Sequence, residues 1–500
     1  MGFDMAFGKR GGATPRPRES GEPFRLLLVG DFSGRAAARA AAAVTPLRRP
    51  LAVDAAELDR AVASLAPALP VAVPGLPDET MRPAGIEDFH PDRLFARLAM
   101  FEEPRRLRHE LRAGGDQTFA AVETWIRQAT GGAPSTAAPA SGGVTESEAS
   151  ALERLLGRAP AASTPASPAG ALQGILEKAV RAHVTSDSDV QRRALLQAVL
   201  DEALTARMRA VLASPALRAA EAAWRGVDRL ARAVDTDESL SLALFDACPQ
   251  DLDDAVTAAG GDLGRSELHR LLIDEGRPWS VIAVAWPFGL DLAELQRLAA
   301  LGALAARGGA VLLADASLTL LGCGSPEQAA DPARWQTAAG GDAAEFWQAL
   351  RDSPVARSVA LVLPRVLARL PYGRKTEPIE SFPFEELSAA ATRSPSDERL
   401  WGSGAFALAQ LQAAAFRENE WSGTPDGAEL DDLPSHTFDD DGESRLAPAG
   451  EVAWPERAVE PLLARGITPL VARRDRAALH LVRACSIAVP PSPLTLSTAE

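Results

Sequence analysis

Apolar runs with little interruption alternate along this chain with stretches of helical period. Residues 24–29 form one such run, ended by Gly30 and Asp31, and read as a buried strand closed by a turn. Residues 51–53 and 71–73 read as short extended segments, with a helix opening near Asp54, whose carboxylate can accept first-turn amides. Residues 90–99, 103–112 and 117–130 have amphipathic helical spacing, as do 190–213 and 215–234. Strand-like runs then recur near 239–245, 279–287, 310–316 and 358–365, with a helix over 291–307 between two of them. A helix follows at 401–416, then a loop rich in Gly, Asp and Pro at 422–450, then strand-like runs near Leu470 and at 478–487. Apolar runs separated by helices predict an α/β (α+β) fold with mixed sheets layered with helices.

Composition divides the chain. Residues 1–22 are rich in Gly, Pro and Arg and are expected to be disordered. Residues 131–143 and 159–170 are small, polar and rich in Pro and Gly, which is linker composition. Between them, residues 146–158 (ESEASALERLLGR) read as a short amphipathic helix with Leu152, Leu155 and Leu156 on one face. A tethered helix this short is marginal alone in water, so it reads as a docking peptide. The expected layout is a globular part at 23–130, a flexible linker at 131–170, a second globular part at 171–490, and a frayed tail at 491–500.

The chain has 500 residues, 46% of them hydrophobic and 24% charged, enough apolar material for a large core. The net charge of −15 argues against a protein that coats nucleic acid. Cys248, Cys323 and Cys485 are widely spaced, without the pairing of a zinc site or disulfide scaffold. No leader-like apolar segment opens the chain and no run is long enough to span a bilayer, so a cytoplasmic protein without membrane insertion is expected.

The phosphate loop, the zinc-protease helix and the serine nucleophile elbow are all missing from the sequence. Residues 30–34 (GDFSG) follow a strand but lack the dinucleotide-binding spacing. His436 stands near Asp439, Asp440 and Asp441, a group that could hold a divalent cation. It lacks the alternating oxygen ligands and closing Glu of a calcium loop, so a solvated acidic loop is the simpler reading. No cofactor, metal or catalytic residue is assigned.

Several segments resemble two known families. Residues 23–35 (PFRLLLVGDFSGR), with Asp31 in the turn, resemble the opening strand of the type VI secretion contractile sheath small subunit. So do Val53-Asp54 with Leu58 and Asp59, and residues 86–94 (IEDFHPDRL), with Phe89, His90 and Pro91. From about residue 190 the chain resembles the sheath large subunit. The segments that carry this are Trp224-Arg225-Gly226, Pro364-Arg365, Pro371-Tyr372-Gly373, Trp401-Gly402 and His436-Thr437-Phe438.

The resemblance implies a sheath-subunit-like fold and a structural role rather than catalysis. It implies paired subunits stacked helically around an inner-tube protein on a baseplate, contracting to drive effectors outward. The expected partners are further copies of this chain or separate sheath subunits. Large subunits also carry a short N-terminal helix read by an AAA+ recycling unfoldase, and Ser150, Leu152, Leu155 and Leu156 fall where it would lie. Two departures stand out. The two families are joined in one chain, and the second stops near residue 490, where the family continues into a strand-exchanging segment. The rival expectations are an accessory protein that binds sheath, baseplate or unfoldase, and an enzyme using the acidic loop at 436–443.

Overall fold

The computed structural model describes residues 18, 21–41, 45–113, 116–129, 189–336, 340–388, 391, 398–440 and 443–494. The front segment contains β1 (Phe24–Gly30), α1 (Arg35–Ala40), β2 (Leu51–Ala52), α2 (Leu58–Leu65), β3 (Leu69–Val71) and β4 (Glu79–Met81). Helices α3 (Pro91–Arg97), α4 (Glu102–Ala113) and α5 (Asp116–Ala129) complete it. The back segment opens with α6 (Asp189–Leu212) and α7 (Pro215–Ala233). It continues through β5 (Leu240–Asp246), α8 (Pro249–Ala258), β6 (Val281–Phe288), α9 (Leu292–Arg307), β7 (Val311–Ala316), α10 (Asp342–Asp352) and β8 (Val359–Leu363). Then come β9 (Val366–Leu367), β10 (Trp401–Gly402), α11 (Gly404–Asn419), β11 (Glu429–Leu430), β12 (Thr437–Asp440) and β13 (Glu443–Leu446). Helix α12 (Glu456–Ala464), β14 (Ile467–Ala472) and β15 (Leu479–Leu481) close the described chain.

The mixed α/β architecture is as the periodicity predicts. Its centre is a nine-stranded sheet in the order β11-β15-β14-β8-β7-β6-β1-β5-β2. The run from β14 to β5 is parallel throughout, and β2, β15 and β11 are antiparallel additions. Counting only parallel strands, the first lies between the second and third, a doubly wound order. Strand β1 pairs with β5 from Phe24↔Leu240 to Gly30↔Asp246, and with β6 from Leu26↔Val281 to Val29↔Val284. The front segment therefore contributes a central strand to the sheet of the back segment.

Both faces of this sheet are covered, so its strands read as apolar runs without alternation. Phe24, Leu26 and Leu28 enter one core with Leu242, Ala283 and Leu313 beneath α7 and α11. Leu27 and Val29 enter the other with Phe245, Ile282 and Leu312 beneath α9. The two-residue strands at the sheet margins offer little to a further strand, and at β11 the Arg473 Nε–H donates to Glu429 at 2.8 Å.

Several local expectations shift. The second helix starts at Leu58 rather than near Asp54, whose Oδ1 instead accepts the Glu57 amide in the preceding bend at 2.8 Å. Trp401 and Gly402 are not helical; they pair with Leu367 and Val366, and the Ser403 hydroxyl caps α11 by accepting the Phe406 amide. Arg18 reaches back to donate to the Trp279 and Gly309 carbonyls at 2.9 and 3.0 Å. At the other end Leu494 is buried and Pro493 bridges Cys485, so residues 491–494 are packed rather than frayed. The linker and the 146–158 segment lie outside the described residues. Among the described helices none is long and apolar enough to cross a membrane.

Candidate functional site: the seam between front and back segments

In α/β sheets of this order, ligands bind beyond the carboxyl ends of the strands, where the first and third strands diverge. Here that crevice is filled from within. The Asp246 carboxylate at the end of β5 accepts the Phe32 and Ser33 amides at 2.9 and 3.0 Å and the Ser33 hydroxyl at 2.6 Å. Trp224 on α7 is fully buried, donates Nε1–H to the Phe32 carbonyl at 2.9 Å and packs against the Phe32 ring at 5.2 Å. Asp31 accepts the Arg35 and Ala36 amides of the first turn of α1 at 2.5 and 2.9 Å; burial outweighs these amides and leaves its carboxyl above the usual range. Gly34 sits at φ +84°, and a Cβ there would lie 2.9 Å from Leu69 Cδ2, so the turn requires glycine. The buried Arg35 grips Asp251 with Nε at 2.7 Å and a second nitrogen at 2.9 Å. Burial disfavours the charged Asp251, but Arg35 and the Cys248 amide hold its carboxyl well below the usual range.

A second knot joins residues 86–94 to the irregular stretch near 372–388. Phe89 and Pro91 are buried, and Pro91 occupies the first helical position of α3 with His90 as its cap. The His90 Nδ1 accepts the Asp92 amide at 3.2 Å, and its ring meets Tyr372 edge-on at 4.9 Å and 83°. Asp92 accepts the Glu380 and Ser381 amides at 3.0 and 2.9 Å. Burial raises its carboxyl, but these donors more than offset that and place it below the usual range. The Phe95 ring packs on Phe382 at 5.1 Å. Asp59 accepts the Ile86 amide at 3.2 Å and ties this segment to α2.

Beside this knot lies a buried charge cluster. Arg369 donates to Glu221 at 2.7 Å and to both oxygens of Glu386 at 2.7 and 2.9 Å. Arg225, one turn after Glu221 on α7, donates to Glu221 at 2.7 Å and to the Tyr372 hydroxyl at 3.1 Å. Glu221, Arg369 and Glu386 are 1%, 5% and 7% exposed, which demands this mutual neutralisation. Burial opposes ionisation of Glu221, yet Arg369 and Arg225 bring its carboxyl below the usual range. Burial likewise pushes the Tyr372 hydroxyl well above its usual value.

The remaining motif residues brace this region. A Cβ on Gly226 would lie 3.0 Å from Phe406 Cδ2, so glycine lets α7 approach α11. The Pro371 carbonyl accepts the Thr376 hydroxyl and the Gly373 amide donates to Glu377, shaping one turn. Arg365, next to the cis-bonded Pro364, pairs with Glu451 at 2.8 Å. Asp315, at the end of β7, accepts the Ser403 hydroxyl at 3.0 Å and the Ala405 amide at 2.7 Å. His436 stands apart: burial, with Arg399 nearby, lowers its imidazole to about 4, and Thr437 and Phe438 lead into the β12–β13 hairpin. Among the described residues no group of three or more His, Cys, Asp or Glu could hold a metal.

The sequence reading singled out Trp224, Arg225 and Tyr372, and its motifs contained Arg369 and Asp92, but it missed Glu221 and Glu386, which complete the charge cluster, and the role of Asp246 in holding the Phe32–Ser33 turn. Glu221 and Arg225 stood at helical i, i+4 spacing, and Asp315 was a lone charge in an apolar run; both signals were available.

All these contacts hold elements together, and Phe32, Phe89, Trp224, Tyr372, Phe382 and Phe406 belong to one of the two cores. The family model described as VipB: EvpB/VC_A0108, tail sheath N-terminal domain matches residues 195–488. The chain belongs to this tail sheath family. Type VI secretion system sheath protein TssC1 of Pseudomonas aeruginosa is 28% identical over 306 residues, which cover 59% of this chain and 61% of the relative. The chain thus spans under two thirds of that sheath protein. The sheath-family match includes Trp224, Arg225, Tyr372, Trp401 and His436, but β1 and the other front-segment elements fall outside it.

Proposed function

We propose that this chain is a building block of a type VI contractile sheath in which a small-subunit-like front segment and a large-subunit-like back segment are covalently joined. One observation carries the reading. The family-matched residues 195–488 contain β5 and β6, yet these strands do not pair with each other; β1, from outside the match, lies between them. The sheath-family core of this chain therefore has a central strand position filled by the segment that resembles the small subunit. The covalent link would set the two halves at one to one and raise their effective concentration.

In this reading the buried seam makes each copy a rigid body, and contraction repacks copies against one another without chemistry in any of them. The further partners are an inner-tube protein that the sheath surrounds, a baseplate that starts it, and an AAA+ unfoldase that recycles it through Leu152, Leu155 and Leu156. Asp31, Phe89, Pro364, Gly373 and Gly402 then serve the fold of the subunit rather than a reaction.

The test is negative-stain electron microscopy of the purified chain, alone and co-expressed with the matching inner-tube protein. Hollow cylinders are expected. Monomers or small discrete particles under both conditions would replace the sheath reading with the accessory one. For the recycling contact, pulldown of the unfoldase should fail with Leu152→Asp and Leu156→Asp, and equal recovery would remove that partner.

A further inference from the structure

Strand β1 is central in the sheet and yet first among the strands of the chain. Segments near a chain end fray unless they are tied down, so the amino end of β1 needs a fastening. Its own ladder starts with the Phe24 amide on the Ser239 carbonyl at 2.7 Å. Ser280 then meets Arg25 twice, through its Oγ at 3.0 Å and its amide at 2.8 Å. Outside that ladder, Arg18 donates from one nitrogen to the Trp279 and Gly309 carbonyls at 2.9 and 3.0 Å. These carbonyls lie two residues before β6 and β7. The same guanidinium stands 5.3 Å from the centre of the Trp421 ring and pairs with Glu22 at 3.6 Å. The Glu22 carbonyl in turn accepts the Trp421 indole N–H at 3.1 Å. Trp421 follows Glu420, whose φ of +49° and ψ of −138° are strained for a residue with a Cβ. That turn ends α11 and sets Trp421 against Phe416 at 5.0 Å and Phe24 at 5.9 Å. A strained turn thus presents the ring on which Arg18 lies.

We propose that Arg18 is a latch: it fastens the amino end of β1 across the starts of β6 and β7, and its release is the first step by which the front segment leaves the slot between β5 and β6. The contacts of Arg18 run to Trp279, Gly309, Trp421 and Glu22, so the guanidinium can let go while the β1 ladder is still intact. Once it has, fraying proceeds inward from Phe24. The carboxyl end of β1 is closed by different means. There Asp246 holds the Phe32 and Ser33 amides and Trp224 holds the Phe32 carbonyl inside the core. Opening therefore starts at the amino end. The residue type fits the task. A planar guanidinium can lie on an indole face while its edge donates to two carbonyls, whereas an ammonium is a hydrated point charge that does both less well.

The test has two readings. In the first, the full-length chain carries a protease site within residues 130–188 and is cleaved after folding, so that the front part is held by its contacts alone. Departure of a labelled front part is followed during a chase with excess unlabelled cleaved chain, at a fixed urea concentration below the unfolding transition. Arg18→Ala should speed departure about tenfold, and Arg18→Lys should speed it by less. In the second, amide exchange is measured on the uncut chain. Arg18→Ala should speed exchange of the Phe24, Arg25 and Leu26 amides about tenfold, while Phe32, Ser33 and the amides of β8 keep the parent rates. Unchanged departure in Arg18→Ala overturns the latch, as does unchanged exchange at Phe24–Leu26. Parent behaviour in Arg18→Lys overturns it too, because a bare charge would then suffice. So does exchange that rises equally at Phe32, Ser33 and β8, because Arg18 would then support overall stability instead of the opening of one end. These readings are made on the isolated chain and do not depend on sheath assembly.

Discussion

Cutting the chain within residues 130–188 and producing the two parts separately tests whether β1 holds the back segment together. Phe24, Leu26, Leu27 and Leu28 are all 0% exposed and lie between β5 and β6, so the back part alone presents two unpaired strands facing a slot. Alone it should be insoluble or bind strand-seeking dyes; produced with residues 1–129 it should co-purify as a one-to-one complex. Leu28→Ala supplies the graded version. Leu28 packs into the core shared with α7 and α11, and removing a buried leucine side chain costs about 3 kcal/mol. At 1.4 kcal/mol per decade, the complex should weaken by roughly 100-fold, measured by titrating a labelled front part with the back part. In the uncut chain the same substitution should lower stability by a similar amount. The reasoning fails if the parts are each soluble and folded with no affinity for one another, or if Leu28→Ala leaves the dissociation constant unchanged.

Glu221→Ala removes one anion from the buried cluster, leaving Arg225 without its carboxylate and Arg369 with Glu386 alone, which should cost about 3–5 kcal/mol in denaturant unfolding. Asp92→Ala should speed amide exchange at Glu380 and Ser381, whose amides it accepts, while exchange in β6 and β7 stays unchanged. Burial outweighs the hydrogen bonds to Asp315 and pushes its carboxyl up to about 7. The folded state then keeps a proton that the unfolded chain releases near pH 4, so stability from this group is full below that pH and falls as pH rises toward 7. Asp315→Asn keeps an acceptor for Ser403 and Ala405 and should gain a few kcal/mol relative to the parent across that window, followed by unfolding at each pH.

The apolar runs announced the strands because a sheet covered on both faces has no polar alternation to hide them. What they could not announce was adjacency. Nothing in residues 24–29 states that their neighbours begin at 240 and 281, since apolar runs of similar length are interchangeable as sequence. The helix boundaries held where caps were local, as at Pro91 and Asp291, whose carboxylate accepts the Ala293 amide at 2.9 Å. They failed at Trp401, where pairing with Leu367 overrides helical spacing. The seam was half legible. Its aromatic and glycine residues stood out as motif residues, whereas Asp92, Asp246 and Glu386 act across long stretches of chain and look like ordinary surface acids until the fold brings their partners to them.

The position of β1 bears on why joining the two segments would matter for a sheath. A strand missing from the margin of a sheet leaves one unpaired edge, and short or charged margins such as β2 and β11 can leave it so safely. A strand missing from the middle leaves two, at β5 and β6, both long and apolar, with Asp246 at the very end of β5 their one charged residue. Such a pair would be filled by any compatible strand during synthesis, including the same strand of another copy. Separate subunits must find each other before that happens. In a single chain the correct strand is made first and stays tethered, so the slot closes on its own β1 at an effective concentration no free competitor matches. If that is the advantage, the cut chain described above should not only dissociate more readily; it should also aggregate in proportion to the delay between adding the back part and the front part.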